Sequence, residues 1–300
     1  NISLSAPNVS LITCNIESSA SWPVTNFTNF EIHGSTLKFA NAPTSDETTG
    51  LFTTQVNPSA LAGTTSIAVF NSLVNTTTYS FIVTAGGASA LFGWPSRLEI
   101  SGTHFQDGVV FYYGIFSEFY ISGGSRFEFR NALLTKNAIV SYDPAQPAST
   151  IDLADFSVDG IGGSAYIFDT LASNLGITTF KMNRAQLNAA PVLYPGAKFS
   201  LAETGSSVQV SQVTSNRQLG LFIFSTRFIG WVPFIVKDST FSVVGATPGI
   251  GLQSTLANSG FAACFQNLNI SAPFRGAAQI VVSVAGSVGI NFTCPSVVGE

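Results

Sequence analysis

The sequence predicts an all-β protein, a single-stranded parallel β-helix of about 26–34 residues per coil, with an antiparallel β-sandwich as the alternative. Three observations carry this. Apolar and polar residues alternate in runs of only three to five, the period of a strand with one buried face. The outline of FEIHGSTLKF, from Phe30 to Phe39, returns as FIVKDSTFSV, from Phe234 to Val243, in pattern rather than in letters. Finally, 26 Phe against 7 Tyr and 3 Trp supply a core material without polar atoms that must find partners.

In chain order, units of this outline are FEIHGSTLKF at Phe30, FIVTAGGASALF at Phe81, LEISGTHF at Leu98, FYISGGSRFEF at Phe119 and IDLADFSV at Ile151. FKMNRAQL at Phe180, VQVSQV at Val208, FIVKDSTFSV at Phe234, LNISAPF at Leu268 and VSVAGSVGINF at Val282 continue it. From Phe119 to Leu268 the anchors fall 32, 29, 28, 26 and 34 residues apart. Inward positions are Phe30, Ile32, Leu37 and Phe39, with Phe119, Phe127, Phe129, Phe180, Phe234 and Phe241 stacked on further coils, while HGST and its counterparts turn the chain. Residues 1–28 have a different texture and read as an N-terminal cap or docking segment. Residues 29–300 read as the β-helix domain, with DPAQPAST as a long loop. Short helices are expected only near Asp46 and Leu171.

Charged residues make up 9% of the chain and its net charge is −4, with 12 Lys plus Arg scattered singly. That excludes a phosphate track, so no nucleic-acid partner is expected. The apolar run from Leu219 to Val236 carries Arg227 at its centre and Pro233 near its end. It reads as two strands rather than a membrane span. Without a leader pattern, the chain reads as a mature or excised segment. Sequons at Asn1, Asn8, Asn26, Asn75, Asn269 and Asn291 point to N-linked glycans and an extracellular, secreted or cell-surface location. Of three cysteines, Cys264 and Cys294 are the natural disulfide; Cys14 is left for a bond to another chain or a buried free thiol.

Catalytic chemistry finds little support. Asp152, Asp155, Asp159 and Asp169 lack the spacing of a calcium loop and read as turn residues. His33 and His104 occupy comparable turns, in HGST and GTHF, and read as surface groups. Trp22, Trp94 and Trp231 are too far apart in sequence to form a visible sugar platform. No metal or cofactor is called for, and no enzymatic activity is expected.

The segments FYISGGSRF, LEISGTHF and LNISAPF resemble those of large β-helical surface glycoproteins of protists, in particular the trypanosomatid dispersed gene family. The resemblance implies an extracellular, glycosylated, non-enzymatic wall or adhesion protein. The expected function is a structural glycoprotein that self-associates into an oligomer or filament through coil ends and loops. The alternative is a carbohydrate-binding or carbohydrate-cleaving protein on the same scaffold.

Overall fold

A computed structural model describes residues 2–39, 50–57, 64–76, 80–84, 96–112, 117–129, 137–142, 149–160, 165–170, 174–188, 198–201, 206–216, 223–225, 230–242, 250–254, 259–271, 280–284 and 290–292. Among them there is no helix, and every strand pairing is parallel. The chain is a β-helix, not an antiparallel sandwich. The apolar run resolves into strands Ile223–Ser225 and Gly230–Ser242, and no described helix is long and apolar enough to cross a membrane. Of the segments read as short helices, 45–49 and 171–173 lie outside the described residues; the rest is strand, resuming at Gly50 in the first and comprising Thr170 and Asn174–Gly176 in the second, because both ends of that segment pair in the parallel stack. DPAQPAST lies outside them as far as residue 148; strand Ser149–Gly160 begins with its last two residues.

Each coil has three sides. The first face stacks Leu4–Ser5, Trp22–Phe27, Gly50–Val56, Ser80–Thr84, Val109–Tyr112, Asn137–Tyr142 and Ala165–Thr170. The second stacks Asn8–Ile12, Asn29–His33, Ser66–Phe70, Arg97–Ser101 and Glu118–Ser122, then the leading parts of longer strands. Asn15–Ser18, Thr36–Phe39, Leu73–Asn75, His104–Gln106 and Ser125–Phe129 begin the third. From Ser149–Gly160 onward one strand runs through both the second and third faces, as in Asn174–Asn188, Ser207–Ser215, Gly230–Ser242 and Ser259–Ser271.

Register confirms the anchors Leu98, Phe119, Ile151, Phe180, Val208 and Phe234, which sit one above another. It corrects two other readings. Phe81 belongs to the first face, and the unit stacked between Phe30 and Leu98 is Ile67, in a run whose neighbour Ala68 is also buried and so hides the alternation. Ala263, not Leu268, stacks on Phe234; Leu268 pairs with Ser239 past the corner. Residues 2–28 form the first coil and one side of the second, in register with the coils stacked on them. Equivalent residues are 20 to 37 apart, a wider spread than expected.

One corner is constant. Between the second and third faces the chain turns on a residue with positive φ in successive coils: Thr13, Gly34, Asn71, Gly102, Gly123 with Gly124, Asp155, Arg184, Gln212, Asp238 and Asn267. A left-handed residue suits Gly, Asn and Asp best. At Gly102 a Cβ would also lie 2.3 Å from Asn71 Oδ1, so glycine answers both conformation and space.

The next residue points inward. Ser35, Ser72, Thr103 and Ser125 are buried there, and each hydroxyl donates to a carbonyl of its own corner, at His33, Phe70, Ser101 and Ser122. Each also accepts the N–H of the coil before: Cys14 to Ser35 (3.0 Å), Ser35 to Ser72 (3.1 Å), Ser72 to Thr103 (3.3 Å) and Thr103 to Ser125 (3.4 Å). Each of these buried hydroxyls is thus paired in both directions. Beside this column rises a spine of phenylalanines, Phe30, Phe52, Phe81, Phe105 and Phe127, with successive centroids 5.2–5.6 Å apart. Phe30, Ile32, Leu37 and Phe39 all enter the core as their alternation requires.

Candidate functional site

Strand alternation puts one side chain in two on the outer surface, and register lines them up as columns. On the outer side of the second face Arg97 is held by Glu99 (2.9 Å) and Glu118 (3.4 Å) and lies 4.4 Å from the centre of the Tyr120 ring. Tyr120 donates its hydroxyl to Glu118 (3.3 Å). The bond to Glu99 raises the Arg97 guanidinium above its ordinary range, and burial raises the Tyr120 phenol. These four side chains answer one another.

The third face carries a different column. Glu17, Lys38, Asn75, Gln106, Glu128, Asp159 and Asn188 occupy the same outward place in successive coils. Lys38 bonds Glu17 (2.8 Å), Asn75 Nδ2 donates to Gln106 Oε1 (3.0 Å) and Asn188 Nδ2 to Asp159 Oδ1 (2.7 Å). Arg126 touches Glu128 and approaches Asp159 at 3.8 Å. His104 Nε2 stands 3.3 Å from Glu128 but without hydrogen-bond geometry. It and Asn75 Oδ1 are buried atoms lacking a hydrogen-bond partner.

His33 and His104 are not equivalent. His33 ends a second-face strand, stacks on Phe70 at 4.8 Å and pairs with Glu31; His104 starts a third-face strand beyond the corner. The four aspartates are spread out. Asp152 lies on the second face, Asp155 at the corner, Asp159 on the third face and Asp169 on the first. Asp155 bonds Arg184 Nη2 (2.8 Å), which holds its carboxyl below the ordinary aspartate range. Among the described residues no group of His, Cys, Asp and Glu is arranged to hold a metal ion.

Of the sequons, Asn8, Asn26 and Asn269 are exposed. Asn75 is half-buried, with its amide nitrogen engaged and Thr76 buried behind it. Asn1 and Cys294 lie outside the described residues; Asn291 is placed in strand Ile290–Phe292 by its backbone alone. Trp22 is on the first face, edge-on to Phe52; Trp94 is outside the described residues, and Trp231 lies in a second-face strand. Cys264 occupies an outward column, beside Ile235, yet is only 3% exposed. Cys14 is a free, half-buried thiol in the first coil.

That coil is the other candidate. Among the described residues, Leu4–Ser5, Asn8–Ile12 and Asn15–Ser18 each pair on one side only. The N–H of Asn29 donates to Pro7 O and that of Thr13 to His33 O. By alternation, the peptide groups of Asn8, Ser10 and Ile12 face the open edge. Ile2 (48%) and Ile12 (65%) are exposed beside it, and Leu4, Leu11 and Cys14 pack partly buried against the core. No protein-family model, no curated protein and no solved structure matches this chain.

Proposed function

We propose that the chain is a non-enzymatic structural glycoprotein of an extracellular surface or filament, self-associating through β-helix ends and loops. The observation that carries this is the unbroken parallel stack, in which each coil takes the next along its strand edges. A coil of another copy with the same geometry would add to such a stack in the same way. Head-to-tail contacts that do not close build filaments. Exposed sequons at Asn8, Asn26 and Asn269 support a glycosylated, secreted chain. A Cys264–Cys294 disulfide is supported by the covered position of Cys264 and by Phe292 lying beside Ala263, two residues before Cys294. Cys14, a half-buried free thiol, would bridge copies.

Ser10→Pro tests the assembly. It removes an N–H from the open edge while the bonds of Val9 and Leu11 to the second coil remain. Sedimentation velocity of the purified chain should show association that grows with concentration, is lost in Ser10→Pro at an unchanged melting temperature, and is kept in Asn8→Gln, which removes the same sequon without touching the Ser10 N–H. A wild-type chain that stays monomeric at high concentration, or a proline variant that assembles equally well, would overturn the proposal.

A further inference from the structure

The outer third face changes character along the helix. Up to Asp159 it carries Glu17, Lys38, Arg126 and Glu128, paired among themselves. Beyond Asp159 the described outward positions past the corner are all uncharged. The column of Arg126 continues there as Ser157, Gln186, Thr214, Thr240 and Asn269, one residue per coil. Alternation with the buried Leu187, Val213 and Phe241 turns these side chains outward, and Gln186, Thr214 and Asn269 are exposed. Among the described residues, none of the five is engaged in a side-chain hydrogen bond.

Asn269 ends this column and is also the acceptor of the sequon Asn269–Ile270–Ser271. Both Asn269 and Ser271 are exposed, whereas the amide nitrogen of Asn75 is spent on Gln106. A glycan attached to Asn269 therefore starts in line with four unspent hydroxyl and amide groups. Its inner sugars are β-linked, each close in length to the spacing of neighbouring strands, about 4.8 Å, so successive sugars meet Thr240, Thr214 and Gln186 in turn. Sugar hydroxyls are neutral donors and acceptors, like the side chains beneath them, and no charge in these coils of the column has to be covered unpaired. Attachment decides the balance. A tethered sugar has an effective concentration of the order of millimolar, so contacts too weak to hold a free saccharide suffice.

We infer that the N-linked glycan of Asn269 lies along the outer third face, over Thr240, Thr214 and Gln186, instead of standing free in water. This rests on the reading of the chain as a glycoprotein and not on its self-association. A glycan so placed covers one side of the helix and leaves the strand edges open for stacking.

The test uses the full chain secreted from a eukaryotic host. Glycopeptide mass spectrometry should find Asn269 occupied; an empty Asn269 would refute glycosylation of this sequon and the docking with it. In the occupied chain, protons of the second and third sugars should show nuclear Overhauser contacts to the methyl groups of Thr240 and Thr214. Trimming the glycan to its first sugar with an endoglycosidase should shift those two methyl signals and leave that of Thr179, on the second face, unmoved. Thr214→Val with Thr240→Val removes both hydroxyls and keeps the branched shape, and should speed the trimming several-fold at an unchanged melting temperature. An occupied Asn269 without those contacts, methyl signals indifferent to trimming, or equal trimming rates in the variant would each overturn the docking and leave the glycosylation standing.

Discussion

The corner between the second and third faces is built in two ways within one molecule. In the coils of Gly34, Asn71, Gly102 and Gly123 the residue behind the bend is Ser or Thr, and the strands stop on either side. In the coils of Asp155, Arg184 and Gln212 that place is taken by Phe156, Ala185 and Val213, and the strand runs through. With Asp238 the hydroxyl returns: Ser239 accepts the N–H of Val213 (3.1 Å) and donates to Lys237 O. The left-handed residue is common to both corners, and the filling is not. The bend is therefore set by backbone conformation, and the interior tolerates a polar column where each hydroxyl both gives and receives a bond.

Exchange of the two fillings is the sharpest way to break this comparison. Phe156→Ser should cost about 3–5 kcal/mol in urea denaturation, through the cavity left by a fully packed ring; a loss below about 1 kcal/mol would mean that the corners interchange freely. The reverse change, Thr103→Val, keeps the shape but strands the Ser72 N–H, and should cost about 1–3 kcal/mol. Faster hydrogen exchange at the Ser72 amide would show that the lost acceptor, rather than packing, is the cause. Gly102→Ala tests the shared bend itself. It should cost about 1–2 kcal/mol for the left-handed conformation, and more while Asn71 Oδ1 occupies the Cβ position. Adding Asn71→Gly, which frees that position, should recover part of the loss.

The smallest effect belongs to the outer side of an apolar corner. Asp155 has its pKa lowered by Arg184, so its stabilisation is present above the ordinary aspartate pKa of about 4 and is lost as pH falls through the lowered folded value. Asp155→Asn should melt slightly lower than the wild type at neutral pH, and the difference should vanish in strong acid and in high salt. A difference that persists in both would assign the effect to the corner conformation instead.

Much of the core was legible in the residues, because alternation reports which side of a strand is wet. Phe30, Ile32, Leu37 and Phe39 could be assigned inward from FEIHGSTLKF alone, and five consecutive stacking steps from Leu98 to Phe234 emerge from matching such units. The pattern failed where both sides of a strand are covered, as at Ile67, Ala68 and Val69. It failed again where one strand crosses the corner, so that Leu268 resembled an anchor five residues past the true one at Ala263. Polarity misled at the corners, since Ser35 and Thr103 looked like solvated turn residues and lie inside. The third-face column was invisible for a different reason. Asn75, Gln106, Glu128, Asp159 and Asn188 are far apart in sequence and meet only through coil lengths that vary.

That variation has an architectural meaning. Where strands stop on either side, the bend between the second and third faces holds two residues, whereas the link from the first face to the second ranges from one residue, Thr28, to twelve, between Thr84 and Arg97. The strands on either side of a long link keep the same register as those beside a short one. The molecule is thus a rack with a fixed spine and variable spacings: a foreign peptide or a second domain spliced in between the strands ending at Val56 and beginning at Ser66, or between those ending at Thr84 and beginning at Arg97, would leave the rungs in register, at a cost of about 0.6 kcal/mol per doubling of the length of chain to be closed.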